Sequence, residues 1–291
     1  MGQHLITAWQ RKYHITVLGR NTKKLKQQFP ALPALSWSQL DTVNPCDFHL
    51  VINLSGETIN HLRWTETIKN NILQSRINAT ESLVNWVSKN PNPNLHFIST
   101  SALSIYGMYS NMPDKSNTEE TVITQHKEFL CEVATTWEQA LAPLKLLNIS
   151  LTVMRFAVVF GKKGGAFPKL YLAAKLGLAA KLGSGQQPFA WIAIGDLVRA
   201  IDWIVQHKIV GPVNMVAPQT PTQNELSKIM SQQLHRPYFL SCPAKILQLL
   251  LGQMGEELVL KGPEATPAVL LNSGFKFDNN SLDEFISNYQ N

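Results

Sequence analysis

Two kinds of hydrophobic pattern alternate along this chain. Residues 14–19 (HITVLG), 49–54 (HLVINL), 95–100 (LHFIST), 150–156 (SLTVMRF) and 213–216 (VNMV) are short apolar runs, mostly bounded by turn residues. Such runs read as strands buried on both faces, as in a parallel sheet. Between them lie helical patterns. Residues 3–12 form a short one. Thr65 is a candidate N-cap for a long helix reaching about Lys89, with Ile68, Ile72, Leu83 and Val87 in a four-residue rhythm and Asn90-Pro91 as its stop. Phe129, Val133, Trp137 and Leu141 mark a further helix, which Pro143 should kink or end. Residues 196–206 form another. Strand and helix in alternation give βαβ units, hence a doubly wound α/β domain over residues 1–218. After Pro218 the patterns are mainly helical, over 223–234, 244–251, 264–272 and 281–289. Residues 219–291 are therefore expected to form a small, mainly helical C-terminal subdomain.

Composition narrows the class. The 291 residues are 44% hydrophobic and 16% charged, which excludes a disordered chain. A chain of this length buries about three quarters of its unfolded surface and needs no staple. Cys46, Cys131 and Cys242 are scattered, with no CxxC or Cys/His cluster, so neither a zinc site nor a disulfide framework is expected. That usage fits a reducing compartment such as the cytoplasm. The net charge is +6, but the Lys and Arg residues are dispersed and do not alternate with aromatics. A mildly basic surface is the reading, not a nucleic-acid site. No apolar run approaches the ~18 residues of a membrane span, and no signal peptide opens the chain.

Strand–helix alternation raises the question of a nucleotide. A dinucleotide-binding Rossmann domain needs a Gly-rich turn between its first strand and first helix, where backbone meets pyrophosphate. Here the helix is present from Gly2, and the strand and turn before it are absent from the sequence. The second strand of such a unit ends at Leu18-Gly19-Arg20. An acidic residue there would hold the ribose of NAD, and Arg20 would accommodate the 2′-phosphate of NADP. An ordinary surface arginine fits equally well. Leu54-Ser55-Gly56 follow the next strand, and small residues there let a cofactor lie close. Ser101 stands at the end of the 95–100 strand, where a hydroxyl could bond a substrate carbonyl or hydroxyl.

A spaced set of motifs runs through these elements. Gly56-Glu57 precedes Arg63-Trp64-Thr65, Lys69, Ser75-Arg76 and Thr80. Then come Ser99 to Ala102, Tyr106-Gly107, Trp137-Glu138, Met154-Arg155, Gly161, Gly164-Gly165, Gly183-Ser-Gly185, Trp191-Ile192, Asp196-Leu197-Val198 and Gly211-Pro212-Val213-Asn214. The set resembles the epimerase-like family of extended short-chain dehydrogenases/reductases, over nearly the whole chain. Its members carry the name nucleoside-diphosphate-sugar epimerase, some with a cell-division-inhibitor label. Residues 243–277, with Leu251-Gly252 and Gly274-Phe275, resemble its small terminal domain.

The resemblance implies a Rossmann domain binding NADP, with substrate held under the C-terminal subdomain. It implies cofactor contacts at Gly2, Arg20, Leu54, Ser55, Gly56, Thr100 and Arg155. Three departures qualify it. The family opens with a strand and a GGTGFIG-type turn, and this sequence starts at that turn's final glycine. The strand belongs in the middle of the sheet, so its loss would leave unpaired backbone groups. The expectation is that a native chain carries strand and turn upstream of Met1. The wider superfamily pairs Ser with Tyr-x-x-x-Lys on a helix, the Tyr as general acid/base. Here that helix reads Phe129-Leu-Cys-Glu-Val133, where Phe cannot transfer a proton and Val cannot lower a pKa. Finally, Ala193 and Gly195 replace the His and Asp of the family's WIHIDD.

Two functions stay open. One is an NADP-dependent oxidoreductase or epimerase with a sugar nucleotide as its candidate substrate, in which Ser101 orients substrate and Tyr106 stands in for the missing acid. A packed aromatic is the alternative reading of Tyr106. The other is a non-catalytic nucleotide-sensing or interaction protein that keeps the scaffold without its proton-transfer groups. Phe129 and Val133 favour the second, and they are expected to face the cleft near Ser101 from adjacent turns.

Overall fold

The computed structural model of the protein describes residues 1–162 and 164–290. Helix α1 (Gly2–Trp9) is followed by β1 (Val17–Leu18), α2 (Thr22–Gln28), β2 (Ala34–Leu35) and β3 (Leu50–Asn53). The long α3 (Glu66–Lys89) leads into β4 (His96–Ala102), and α4 (Phe129–Gln139) with α5 (Ala142–Leu146) leads into β5 (Ser150–Phe156). Next come β6 (Val158–Phe160), α6 (Phe167–Lys175), β7 (Ala180–Leu182), β8 (Trp191–Ala193), α7 (Ile194–Gln206) and β9 (Gly211–Met215). The C-terminal part holds α8 (Gln223–Gln233), β10 (Leu240–Cys242), α9 (Ala244–Leu251), α10 (Gln253–Leu258), α11 (Ala268–Asn272) and α12 (Leu282–Gln290).

The central sheet has the order β3-β4-β5-β9 and is parallel throughout. Side chains alternate across it. Phe97, Leu151 and Val153 bury against Leu83, Val84 and Val87 of α3 and Leu144 of α5. Ile98, Met154, Val213 and Met215 point the other way, onto Leu5 and Trp9 of α1 and Leu197, Ala200 and Ile204 of α7. Helices on both faces make this a doubly wound, Rossmann-like sheet. Strands β1 and β2 pair with each other in a separate parallel ladder. Among the described residues no ladder joins β1 to β3, and Leu50, Val51 and Ile52 are accordingly only half-buried.

Local chemistry explains the boundaries. The Thr65 side chain accepts from the Ile68 N–H and starts α3 where expected. Pro143 does not kink a long helix. Helix α4 stops at Gln139 and the proline opens α5, where its missing N–H costs nothing. The helix expected over 264–272 forms only from Ala268, because Pro267 cannot sit in a helix interior and biases Thr266 away from it. Strand β9 begins earlier than expected, at Gly211-Pro212; it is an edge strand, which tolerates the proline. Helix α2 has one apolar residue, Leu25, and so no periodicity; the Asn21 side chain caps it by accepting from Lys24.

The C-terminal helices do not stand apart. Phe160, Phe167 and Trp191 share a core with Leu226, Met230, Phe285 and Ile286. Strand β10 pairs with β7, drawing residues 180–182 into the same layer. The carboxylate of Asp196, 1% exposed, accepts from the Asp278 N–H at 2.7 Å and from Asn279, pinning the segment before α12.

Candidate functional site

The carboxyl ends of β3, β4 and β5 open into a cleft of about 520 Å³. Ligands of open α/β sheets bind outside these strand ends. Leu54, Ser55 and Gly56 form one wall, Thr100, Ser101 and Ala102 the floor, and Phe156 to Val159 with Gly161, Gly164 and Gly165 the opposite side. Arg76 of α3 with Val133 and Trp137 of α4 closes the back. A shallower depression of about 320 Å³ at Asp41, Asn44 and Lys89 lies away from the strand ends.

Buried polar side chains hold the walls. Asn53, 1% exposed, donates to the Thr80 hydroxyl at 3.0 Å, and its Oδ1 accepts from the Ser55 N–H at 3.1 Å. The Thr80 oxygen also accepts from Trp137 Nε1 at 2.9 Å. Thr100 Oγ1 donates to the Asn53 carbonyl at 3.1 Å, and the Glu57 N–H donates to Ser75 Oγ at 2.9 Å. The turn after β3 is thus fixed by side chains of β3 itself and α3, with its polar groups paired.

A second network runs beneath the floor. Ser101 Oγ donates to Glu138 Oε1 at 2.7 Å. Arg155 grips the same carboxylate with two bonds of 2.9 Å, and its Nη1 donates to the Tyr106 hydroxyl at 2.7 Å. Tyr106 donates to Asn214 Oδ1 at 2.9 Å, and the Asn214 N–H donates to Glu119 Oε1 at 2.8 Å. Burial pushes the Tyr106 phenol above its ordinary pKa, although the Arg155 guanidinium opposes this. Burial also raises the Glu119 carboxyl, against the N–H groups of Asn214 and Val269.

The sequence-derived candidates separate on this geometry. Leu54, Ser55, Gly56, Thr100 and Ser101 come together in the cleft. Arg20 lies two residues past β1, its side chain 84% exposed and 3.6 Å from Glu57 at the cleft rim. Gly2 is not in the cleft wall; it sits beside Leu54, where a Cβ would make ordinary contact at 3.8 Å. Arg155 also lies outside the wall and engages Glu138 and Tyr106. Tyr106 is 3% exposed, with its hydroxyl taken up by Asn214 and Arg155, so it is not presented to the cleft as a replacement acid. Val133 lines the cleft, but Phe129 turns onto Trp64, with ring centroids 5.3 Å apart. The Cys131 thiol is pushed up to about 12 by burial and by Glu128 and Glu257, and is unreactive.

Arg76 and Trp137 in the cleft wall and Glu138 beneath Ser101 belong to the site beyond the sequence-derived candidates. The signal for Arg76 was present: positions 68, 72, 76 and 80 share one face of α3, and a guanidinium interrupts an apolar row. Glu138 carries no such signal, because its partners come from β4 and β5.

The family model of NAD-dependent epimerases and dehydratases matches residues 1–216, and a domain of unknown function, DUF1731, matches residues 242–288. The chain belongs to the NAD-dependent epimerase/dehydratase family. The epimerase family protein YfhF of Bacillus subtilis is 32% identical over 290 residues, covering 99% of this chain and 93% of that protein. The crystal structure of human epimerase family protein SDR39U1 with NADPH superposes with a TM-score of 0.84 at 25% identity, covering 97% of this chain and 93% of the other. The fold also matches UDP-glucose 4-epimerase of Thermotoga maritima, solved with UDP-glucose, at a TM-score of 0.70 and 12% identity, over 99% and 95% of the two chains. No helix among the described residues of this epimerase-family protein is long and apolar enough to cross a membrane.

Proposed function

We propose that this epimerase-family protein binds NADP(H) along the carboxyl edge of its sheet and acts as an oxidoreductase or epimerase on a small molecule of the sugar-nucleotide class. The observation that carries the reading is the cleft at the ends of β3, β4 and β5, walled by Ser55, Gly56, Thr100 and Ser101. The residues suit a dinucleotide. A Cβ at Gly56 would stand 3.2 Å from the Arg76 guanidinium carbon, so the glycine lets the guanidinium pack closely against the backbone of that wall. Gly164 and Gly165 have φ of +78° and +76°, which favours glycine in the turn facing that wall. Ser55, Gly56 and Thr100 would hold the cofactor, and Arg20 is free enough to reach a 2′-phosphate. The NADPH-bound human relative and the UDP-glucose-bound epimerase support the two ligand classes. A nicotinamide ring, when bound, supplies hydride chemistry. Ser101 has its proton committed to Glu138, so it meets a substrate as an acceptor and orients a hydroxyl.

A second reading, a non-catalytic nucleotide sensor or interaction protein, is favoured by one observation. Val133 lines the cleft, Phe129 packs on Trp64, and Tyr106 is locked elsewhere. General acid–base help is typically worth about 10²- to 10⁴-fold, so turnover on sugar nucleotides should be slow under the first reading and undetectable under the second. The three free thiols accord with a cytoplasmic setting. The test is a titration with NADPH and NADH, repeated on Arg20→Asp. NADPH should bind tighter, and the substitution should erase the preference. Equal affinities in the parent protein would remove Arg20 as the phosphate reader. NADPH binding without hydride transfer would select the second reading.

A further inference from the structure

Arg76 has more hydrogen-bonding capacity than the protein uses. It sits on the inner face of α3, one turn from Ile72 and one from Thr80. Its guanidinium lies over the Trp137 ring, 5.1 Å from the centroid, and its Nη1 donates to the Ile72 carbonyl at 2.8 Å. A guanidinium carries five N–H donors. Among the described residues no second acceptor takes one from Arg76. Glu57 acts on it only at longer range than an ion pair and is itself 3.6 Å from Arg20. Two guanidinium groups and one carboxylate therefore meet at the end of β3, an excess of one positive charge. Burial holds the Arg76 pKa down to about 10. A cation kept half out of water, in the wall of a cleft, is costly unless something supplies acceptors. Stacking on Trp137 occupies the face of the group and leaves its in-plane donors available.

We propose that Arg76 is an oxyanion-binding residue of the cleft and takes the phosphate or carboxylate oxygens of a bound ligand. The inference rests on the cleft being the ligand site, as in the reading above. It does not require the ligand to be a nicotinamide nucleotide. Planar, paired donors suit two oxygens of one phosphate or carboxylate. The apolar back of the cleft, Trp137 and Val133, strengthens the attraction by excluding water. The anion has two possible sources, the cofactor's own phosphates or an anionic group of the substrate.

Calorimetric titration of the full chain with NADPH, UDP and inorganic pyrophosphate separates them, using Arg76→Met, Arg76→Lys and Glu57→Gln. The ligand read by Arg76 should bind about 10- to 100-fold more weakly to Arg76→Met, the range of charge-assisted bonds. Arg76→Lys should fall between, and Glu57→Gln should bind several-fold tighter. A loss confined to NADPH assigns the cofactor's phosphates; a loss confined to UDP and pyrophosphate assigns a substrate group. Arg76-dependent binding of UDP or pyrophosphate without any NADPH binding would uphold this inference and end the nicotinamide reading. Affinities unchanged in both Arg76 variants, with NADPH bound, would overturn this inference and leave that reading intact. Failure of the parent protein to bind any of the three overturns both.

Discussion

Replacing Arg76 by Met should stabilise the unliganded protein while weakening its ligand. Burial holds the guanidinium at about 10, well below its ordinary value, and at 1.36 kcal/mol per pH unit that penalty is roughly 3 kcal/mol. Its stacking on Trp137 returns about 0.5–1 kcal/mol. Its bond to the Ile72 carbonyl returns about 1 kcal/mol. Methionine keeps the apolar stem against Trp137 and removes the charge. The balance is a gain of about 1 kcal/mol, a few degrees in Tm. The pH dependence has a fixed sign. A base whose folded pKa is lowered is penalised wherever it is charged in the fold. The penalty is therefore full at neutral pH and is relieved only as pH rises through about 10. Urea unfolding of both proteins between pH 6 and 9 should give a constant difference in favour of Arg76→Met. A loss of 1 kcal/mol or more in that variant would refute the reasoning, because the guanidinium would then be holding the fold together.

The Arg155–Glu138 pair behaves oppositely. Arg155→Met strands the Glu138 carboxylate beside Ser101, and should cost about 3–5 kcal/mol in the same urea assay; a cost below 1 kcal/mol would show that water reaches the carboxylate. His96 has its pKa lowered, chiefly by burial and against a hydrogen bond to the Ile209 backbone, and its Nε2 lies 2.7 Å from Thr152 Oγ1. A base shifted this way gives stability that is present above its usual ~6.5 and lost as pH falls below it. His96→Gln should flatten the stability loss between pH 7 and 5, and an unchanged slope would acquit this histidine.

The scaffold was legible because its signals are local or periodic. Apolar runs gave β3, β4, β5 and β9 to within a few residues, and Thr65 and Asn90 bracketed α3. Short elements were not legible. Strands β6 and β8 have three residues each and pair with one another across 33 positions of chain, so neither carries a pattern of its own. The strand expected over 14–19 shrinks to Val17–Leu18 because among the described residues β2 is its one partner. In the site, the strand-end residues Ser55, Gly56, Thr100 and Ser101 could be placed from topology alone, since parallel strands end together. Tyr106 could not. Proximity in sequence to Ser101 suggested proximity to the cleft, but Leu103 to Tyr106 form one turn of 3-10 helix that carries the phenol under the sheet to Asn214 and Arg155.

That placement bears on what the cleft is built to do. A proton donor needs a partner on the substrate and a pKa near the working pH. Tyr106 has neither: its proton goes to Asn214, and burial moves it further from neutrality. Its bonds serve another end. Tyr106, Arg155, Glu138 and Ser101 join β4, β5, β9 and α4 in one chain of charge-assisted contacts. Asn214 extends the chain through Glu119 to the Val269 N–H in the first turn of α11. Each member restrains the next, so Ser101 is held with its lone pairs outward and its donor withdrawn. Across the cleft Arg76 has the reverse character: among the described residues only the Ile72 carbonyl takes one of its donors. A rigid acceptor on the floor and an under-used cation in the wall are groups that bind and orient. Neither gives up a proton near neutral pH. Under the reading proposed above, these two groups serve recognition of an anionic, hydroxyl-bearing ligand, and a proton that moves there comes from neither of them.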